Sequence, residues 1–366
     1  MGEILFDFVV QQYGRGNPYP FNHKGPLFYK WLPDGESDAI LLNTGDPQAE
    51  LKVSFERRGY VNDRGHIVFE WKRHEVDPSV ISRQASLEGG HLVGWLKIEV
   101  ADEELATLQK AAIGDLSYES MGKRVIKLIR PQVNKTLNLL GTNYGQYWIK
   151  TIEKWDSRTQ SLGSYCASLG LRWSFDEGKS WSSFVPNERK STSHQTISLA
   201  SDDAFRQEFL THEDWLEISK VVNENYEPSP AAFVLTRAYQ LLDQGHLREA
   251  FIEGVTALEV ALDDYIRQHR GSSKTVTGHI EQFQGLPLPV RVAAVAVISG
   301  SISESDVEDT ATAYKVRNLV VHEGKRPSDG DESKLVVLLK TAGALIPGPK
   351  FRFLTVHMQN SLDPPK

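Results

Sequence analysis

The spacing of apolar residues changes period part-way along the chain, and this change constrains the fold more than any other feature. Up to about residue 205 apolar and polar residues alternate over short runs. Examples are Leu51-Lys52-Val53-Ser54-Phe55, Ile67-Val68-Phe69-Glu70-Trp71 and Leu96-Lys97-Ile98-Glu99-Val100. Period two is the signature of half-buried strands. Turn formers separate the runs at Pro33-Asp34-Gly35, Asn43-Thr44-Gly45-Asp46 and Asp63-Arg64-Gly65, and one helix is expected from Asp102 to Ala112. All eight Trp residues lie at or before Trp215. The two parts of the chain are therefore expected to be built differently.

Beyond residue 205 the pattern becomes helical. Thr211-His212-Glu213-Asp214 reads as a helix start with an acidic residue three positions after the cap. The helix is expected to reach Val222. Asn223 to Pro230 reads as a linker. Helices are then expected over 231–243, ending at Gly245, and over 246–269, where Phe251, Val255, Leu258, Leu262 and Ile266 form one stripe. A looser helical stretch surrounds Ile280 to Phe283, and another segment runs from Val290 to Ile298. The next helix has two candidate caps, Ser303 and Ser305, of which Ser305-x-x-Glu308 forms a capping box, and it runs to His322. The last runs from Glu332 to Ile346. The expected fold class is α+β. A β-rich domain over 1–222, an antiparallel sheet or sandwich, precedes a linker over 223–230. An all-α bundle over 231–346 and a tail over 347–366 complete the chain.

Composition removes several alternatives. A chain of 366 residues is long enough for two cores. The net charge of −7 is unlike that of a dedicated duplex-binding protein, so any nucleic-acid contact should be local. The single cysteine, Cys166, rules out an intrachain disulfide and a cysteine-rich zinc site, and suits a reducing compartment. No apolar run approaches the length of a membrane span. Met1-Gly2-Glu3-Ile4-Leu5-Phe6 lacks the pattern of a secretory signal. A cytoplasmic protein with no membrane partner, cofactor or metal is expected.

Ser174-Phe175-Asp176-Glu177-Gly178-Lys179-Ser180-Trp181 resembles the Asp-box hairpin of sialidase-like propellers. A propeller needs several such repeats and this chain has one, so a stable hairpin is the expectation. A carbohydrate-binding β domain would require exposed Trp residues on one concave face. His212-Glu213-Asp214 reads as a helix start, and His269 and His279 as separate residues. Arg189-Lys190 reads as a solvated loop.

The segment that carries chemistry is Tyr314-Lys315-Val316-Arg317-Asn318-Leu319-Val320-Val321-His322-Glu323-Gly324. On a helix, Tyr314, Asn318 and His322 share one face, and Ala313, Val316 and Val320 form an apolar one. Arg317 lies about 100° round from Asn318, and its long side chain reaches the same region. An imidazole takes a proton from a ribose 2′-OH at neutral pH, while a guanidinium clamps phosphate oxygens as negative charge develops. Asn318 would orient the imidazole or bond the phosphate. Glu259 lies at the edge of the apolar stripe, where a buried carboxylate needs a partner, Arg317 or His322. Read structurally instead, His322 is a cation at a helix C-terminus, favoured by the dipole, and Tyr314 is a packing residue.

Arg317-Asn318-x-x-x-His322 resembles the Arg-x4–6-His motif of the HEPN superfamily. The wider Tyr-x-x-Arg-Asn-x-x-x-His-x-Gly context resembles its Apea-like branch, and Thr256 to Leu262 resembles the second helix of such domains. The resemblance covers about 228 to 346. It implies a metal-independent endoribonuclease that leaves 2′,3′-cyclic phosphate ends. It also implies a homodimer whose composite site takes Arg317 and His322 from both chains. Such enzymes include antiviral (anti-phage) defence and toxin-type effectors. The expected partners are then an RNA substrate, a second copy of the chain, and a trigger protein or ligand for an N-terminal sensing domain. The alternative is a catalytically inactive HEPN dimerisation or binding module, with function carried by the β-rich domain.

Overall fold

The computed structural model describes residues 2–10, 27–29, 38–56, 59–61, 67–69, 88–112, 114–147, 149, 151–185, 196–197, 210–224, 226–269 and 283–346. The chain divides into two compact units. The first holds most of the chain up to Tyr226, and the second holds the chain from Glu227 onward together with Leu140–Trp148.

The first unit is organised by a long strand. β1 (Gly2–Val10) runs antiparallel to β7 (Glu88–Val100), with Gly2 opposite Val100 and Val10 opposite Leu92. Between them lie β2 (Leu27–Tyr29), β3 (Ile40–Leu42), β4 (Ala49–Glu56), β5 (Gly59–Val61) and β6 (Ile67–Phe69). With β8 (Arg172–Ser174) and β9 (Ser182–Ser183), the sheet order is β3-β4-β7-β1-β8-β9, and β2 pairs with β7. β10 (Thr196–Ile197), β6 and β5 form a second small antiparallel sheet. Period two is visible in β1, where Ile4, Phe6, Phe8 and Val10 are buried. Gly94 sits opposite Phe8, and a Cβ there would come within 2.1 Å of the Phe8 ring. A buried ring cannot give way by that much, so the position requires glycine.

The mixed α and β content agrees with the sequence reading, and among the described residues the first segment also holds helices beyond the one expected there. After α1 (Asp102–Leu108), shorter than the expected helix to Ala112, comes the 28-residue α2 (Leu116–Asn143). Its buried residues Tyr118, Met121, Val125, Ile129, Val133, Leu137 and Leu140 recur every three or four positions. Tyr118 stacks on Phe184 at 4.5 Å between ring centroids and donates its hydroxyl to the Phe184 carbonyl at 2.6 Å. Trp173 meets Phe184 edge-on at 4.9 Å, and Phe6 lies 6.4 Å from Trp173. This aromatic cluster is the helix-to-sheet core on the Phe6 face, where a sandwich would place a second sheet.

α3 (Leu162–Ser168) carries Cys166, which is fully buried. Burial pushes its thiol up to about 12, and the thiolate is the reactive form. The native protein should therefore leave a thiol reagent unconsumed at pH 8, and take up one equivalent once unfolded. Native-state labelling at the unfolded rate would contradict this packing.

The hairpin between β8 and β9 closes as expected of a stable turn. Asp176 accepts from the Ser180 N–H at 2.9 Å, Ser174 Oγ accepts from the Gly178 N–H at 2.9 Å, and Glu177 and Gly178 have φ of 60° and 83°. Trp173 and Trp215 are buried, and Trp95, Trp155 and Trp181 are half-buried, so the described Trp residues do not line an exposed face. Trp31, Trp71, Arg189-Lys190, His279, the Pro33–Gly35 and Asp63–Gly65 turns, most of the Ile280–Phe283 stretch and the 347–366 tail lie outside the described residues.

α4 (His212–Asn223) begins at Thr211, whose side chain and Asp214 form a capping box. The second unit is helical. α5 (Pro230–Asp243) is capped by Ser229 and turns through Gly245, at φ 75°, into α6 (Leu247–His269). α7 (Leu288–Ser299), α8 (Glu304–His322) and α9 (Glu332–Leu345) follow. Phe251, Val255, Leu258 and Leu262 of α6 are buried in one core with Leu335, Leu338 and Leu339 of α9. Gly254 makes the approach of α9 possible, since a Cβ there would lie 2.9 Å from Leu339 and 3.0 Å from Leu335. Tyr147, far earlier in the chain, joins this core. Its ring stacks 6.2 Å from that of Tyr239, and its carbonyl accepts from Gln240 Nε2.

Candidate active site

α8 begins at Ser303, where a side-chain acceptor meets an unpaired helical N–H. Ser303 Oγ accepts from the Asp306 N–H, and the Asp306 carboxylate accepts from the Ser303 N–H. The box is thus Ser303/Asp306, and not the Ser305/Glu308 pair expected from the sequence. The helix ends at His322, beyond which Gly324 adopts φ 67° and the Lys325 N–H returns to the Leu319 carbonyl.

Ala313 and Val320 are buried, and Tyr314 and Val316 pack against the same core. Of the face expected to be polar, Tyr314 thus joins the packed side and His322 is exposed. Arg317 and Asn318 are half-buried, and Arg317 Nη1 donates to Asn318 Oδ1 at 3.1 Å. Among the described residues Arg317 Nε is buried without a hydrogen-bond partner, and Nη2 donates to none of them. His322 is exposed at the last position of the helix. At about 1.5 Å of rise per residue, its Cα lies roughly 7.5 Å beyond that of Arg317 along the axis. One helix therefore carries a half-buried guanidinium, an amide that accepts from it, and a solvent-facing imidazole five residues, about 1.4 turns, further on. Such a set suits a phosphodiester, whose oxygens accept from the guanidinium while the imidazole exchanges a proton.

Glu259 stands on α6, half-buried between the buried Val255 and Leu262. Among the described residues it makes no ion pair with Arg317 or His322, so the expected partnership does not form. One charged pair that does reach into the core of this unit is Asp263 with Arg291, Nη2 of the guanidinium donating to Asp263 Oδ1. Arg291 is buried and its Nε has no partner among the described residues. The sequence signal for it was present, because Arg291 is the lone charged residue of α7, Leu-Pro-Val-Arg-Val-Ala-Ala-Val-Ala-Val-Ile-Ser. Among the described residues no group of three or more His, Cys, Asp and Glu is placed to hold a metal ion. No helix among them is long and apolar enough to cross a membrane.

No family model, curated protein or solved structure matches this chain. The HEPN resemblance therefore stands on the Arg317–His322 residues and their helical setting.

Proposed function

We propose that the second unit is a metal-independent HEPN-type endoribonuclease, an antiviral defence or toxin-type effector in the cytoplasm. The first unit acts as its sensing domain. The observation that carries this reading is the pairing, on one helix, of an Asn318-held Arg317 with the exposed His322. His322 accepts the ribose 2′-OH proton as the 2′-oxygen attacks phosphorus. Arg317 takes the charge that builds on the non-bridging oxygens, with Asn318 fixing its fork. The 5′-oxygen leaves with a proton from His322 of the partner subunit, which gives a 2′,3′-cyclic phosphate and a 5′-hydroxyl. Two copies are therefore needed, and the active form is a homodimer through the helical unit.

A second reading, an inactive HEPN dimerisation or binding module, draws on one observation. Arg317 is already bonded within its own helix and half-buried, as a structural arginine would be. Cleavage of RNA in EDTA by the purified chain, beside His322→Ala, separates the two. The wild type should cut and leave cyclic phosphate ends. His322→Ala should be slower by at least about 100-fold, the lower range for losing a positioned acid or base. A wild type that is inert in the tube but toxic in cells, beside a non-toxic His322→Ala, would also support the enzyme. Equal behaviour of the two proteins both in the tube and in cells would leave the binding module.

A further inference from the structure

Within the first unit, the Asn43–Gly45 turn, Gln132 and Lys135 of α2, and Val222 and Asn223 at the end of α4 line a polar cleft of about 160 Å³. None of its lining residues is acidic. Three of its side-chain acceptors are already committed. Asn43 Oδ1 accepts from the Gly45 N–H at 2.9 Å, Asn223 Oδ1 from the Asn43 N–H at 3.3 Å, and Thr44 Oγ1 from the Asp46 N–H at 3.2 Å. Both amide hydrogens of Asn223 are also used, on the Leu41 and Ser219 carbonyls. Among the described residues, the Lys135 ammonium, the Asn43 side-chain N–H groups and the Gln132 amide, whose two N–H groups can donate, have no partner.

Lys135 is half-buried and forms no ion pair among the described residues. Arg124, Lys127 and Lys135 fall within one arc of α2 at 100° per residue, so the positive field is shared along that face. The carboxylate close to this face, Asp46, is bonded to the Gln48 N–H at 2.9 Å and to Arg124 at 3.1 Å, and does not line the cleft. A half-buried cation among spare donors, with no carboxylate lining the cleft, is matched by an oxyanion. The volume falls below the roughly 300 Å³ at which drug-sized ligands begin to fit. It therefore suits a phosphate or sugar-phosphate group, not a whole dinucleotide.

We propose that this cleft binds the phosphoryl group of a small molecule, with Lys135 supplying the charge and Gln132 and Asn43 the amide donors. The site lies in the first unit and does not rest on the ribonuclease reading, so His322→Ala should bind as the wild type does. The test is a ³¹P NMR titration of the full chain with inorganic phosphate and with ribose 5-phosphate. Lys135→Gln is compared with Lys123→Gln, an exposed lysine of the same helix that pairs with Glu119. Circular dichroism confirms that each variant is folded. Saturable binding should weaken at least about tenfold in Lys135→Gln, as for loss of a charge-assisted contact, and stay unchanged in Lys123→Gln. Tighter binding of ribose 5-phosphate would name a sugar phosphate as the ligand, and equal binding the phosphoryl group alone. No saturable binding of either probe, or the same loss in both lysine variants, would overturn the proposal.

Discussion

Asp263→Ala should destabilise the second unit by about 3 kcal/mol, because it strands the Arg291 guanidinium in the core without its carboxylate. The Arg291 side chain is 8% exposed, whereas that of Asp263 is 31% exposed. Solvent around Asp263 therefore keeps the expected cost at the lower end of what a fully buried pair would show. The double replacement Arg291→Met with Asp263→Leu should return to within about 1 kcal/mol of the wild type, since both charges and both desolvation costs are removed together. Urea unfolding followed by far-UV circular dichroism reads this, because residues from Glu227 onward contain no Trp. A loss below about 0.5 kcal/mol in Asp263→Ala would mean that water reaches Arg291 and the pair contributes little.

Trp215→Ala should cost the first unit about 3–5 kcal/mol, the range for truncating a large buried aromatic ring. Trp215 is 1% exposed, and its indole N–H donates to the Asp38 carbonyl at 2.6 Å. Trp215→Phe keeps a ring and loses the donor, so it should cost only about 1–2 kcal/mol. The gap between the two variants divides the packing contribution from the hydrogen bond. Equal losses from Phe and Ala would show that the bond to Asp38, and not the ring, holds α4 in place.

The residues show why some elements were legible in the sequence and others were not. β4 and β7 contain the alternating runs Leu51–Phe55 and Leu96–Val100, and each is read correctly because one face of the sheet is buried. Helices from Pro230 onward announce themselves by caps and by a buried stripe. α2 was passed over although its apolar residues keep helical spacing. It contains Pro131 and the glycines at 122 and 141, residues of low helix propensity. Pro131 is exposed, so its ring meets solvent, and the packing of the buried face outweighs one lost backbone bond. For the candidate site, Arg317, Asn318 and His322 could be placed because helical spacing fixes their directions. The fate of Glu259 could not, since whether a carboxylate finds a partner depends on a neighbouring helix, and on this helix it is Asp263, one turn on, that pairs with Arg291.

The presence of Tyr147 in the core of the helical unit bears on how such a chain can be shuffled in evolution. A single crossover near residue 227 would deliver a gene fragment lacking the aromatic ring that stacks on Tyr239 and the carbonyl that receives Gln240. The complete helical unit therefore includes a stretch of the preceding half. Hybrids made by swapping the front of the gene should retain a sound helical body only when the donor front brings a compatible Leu140–Trp148 segment with it.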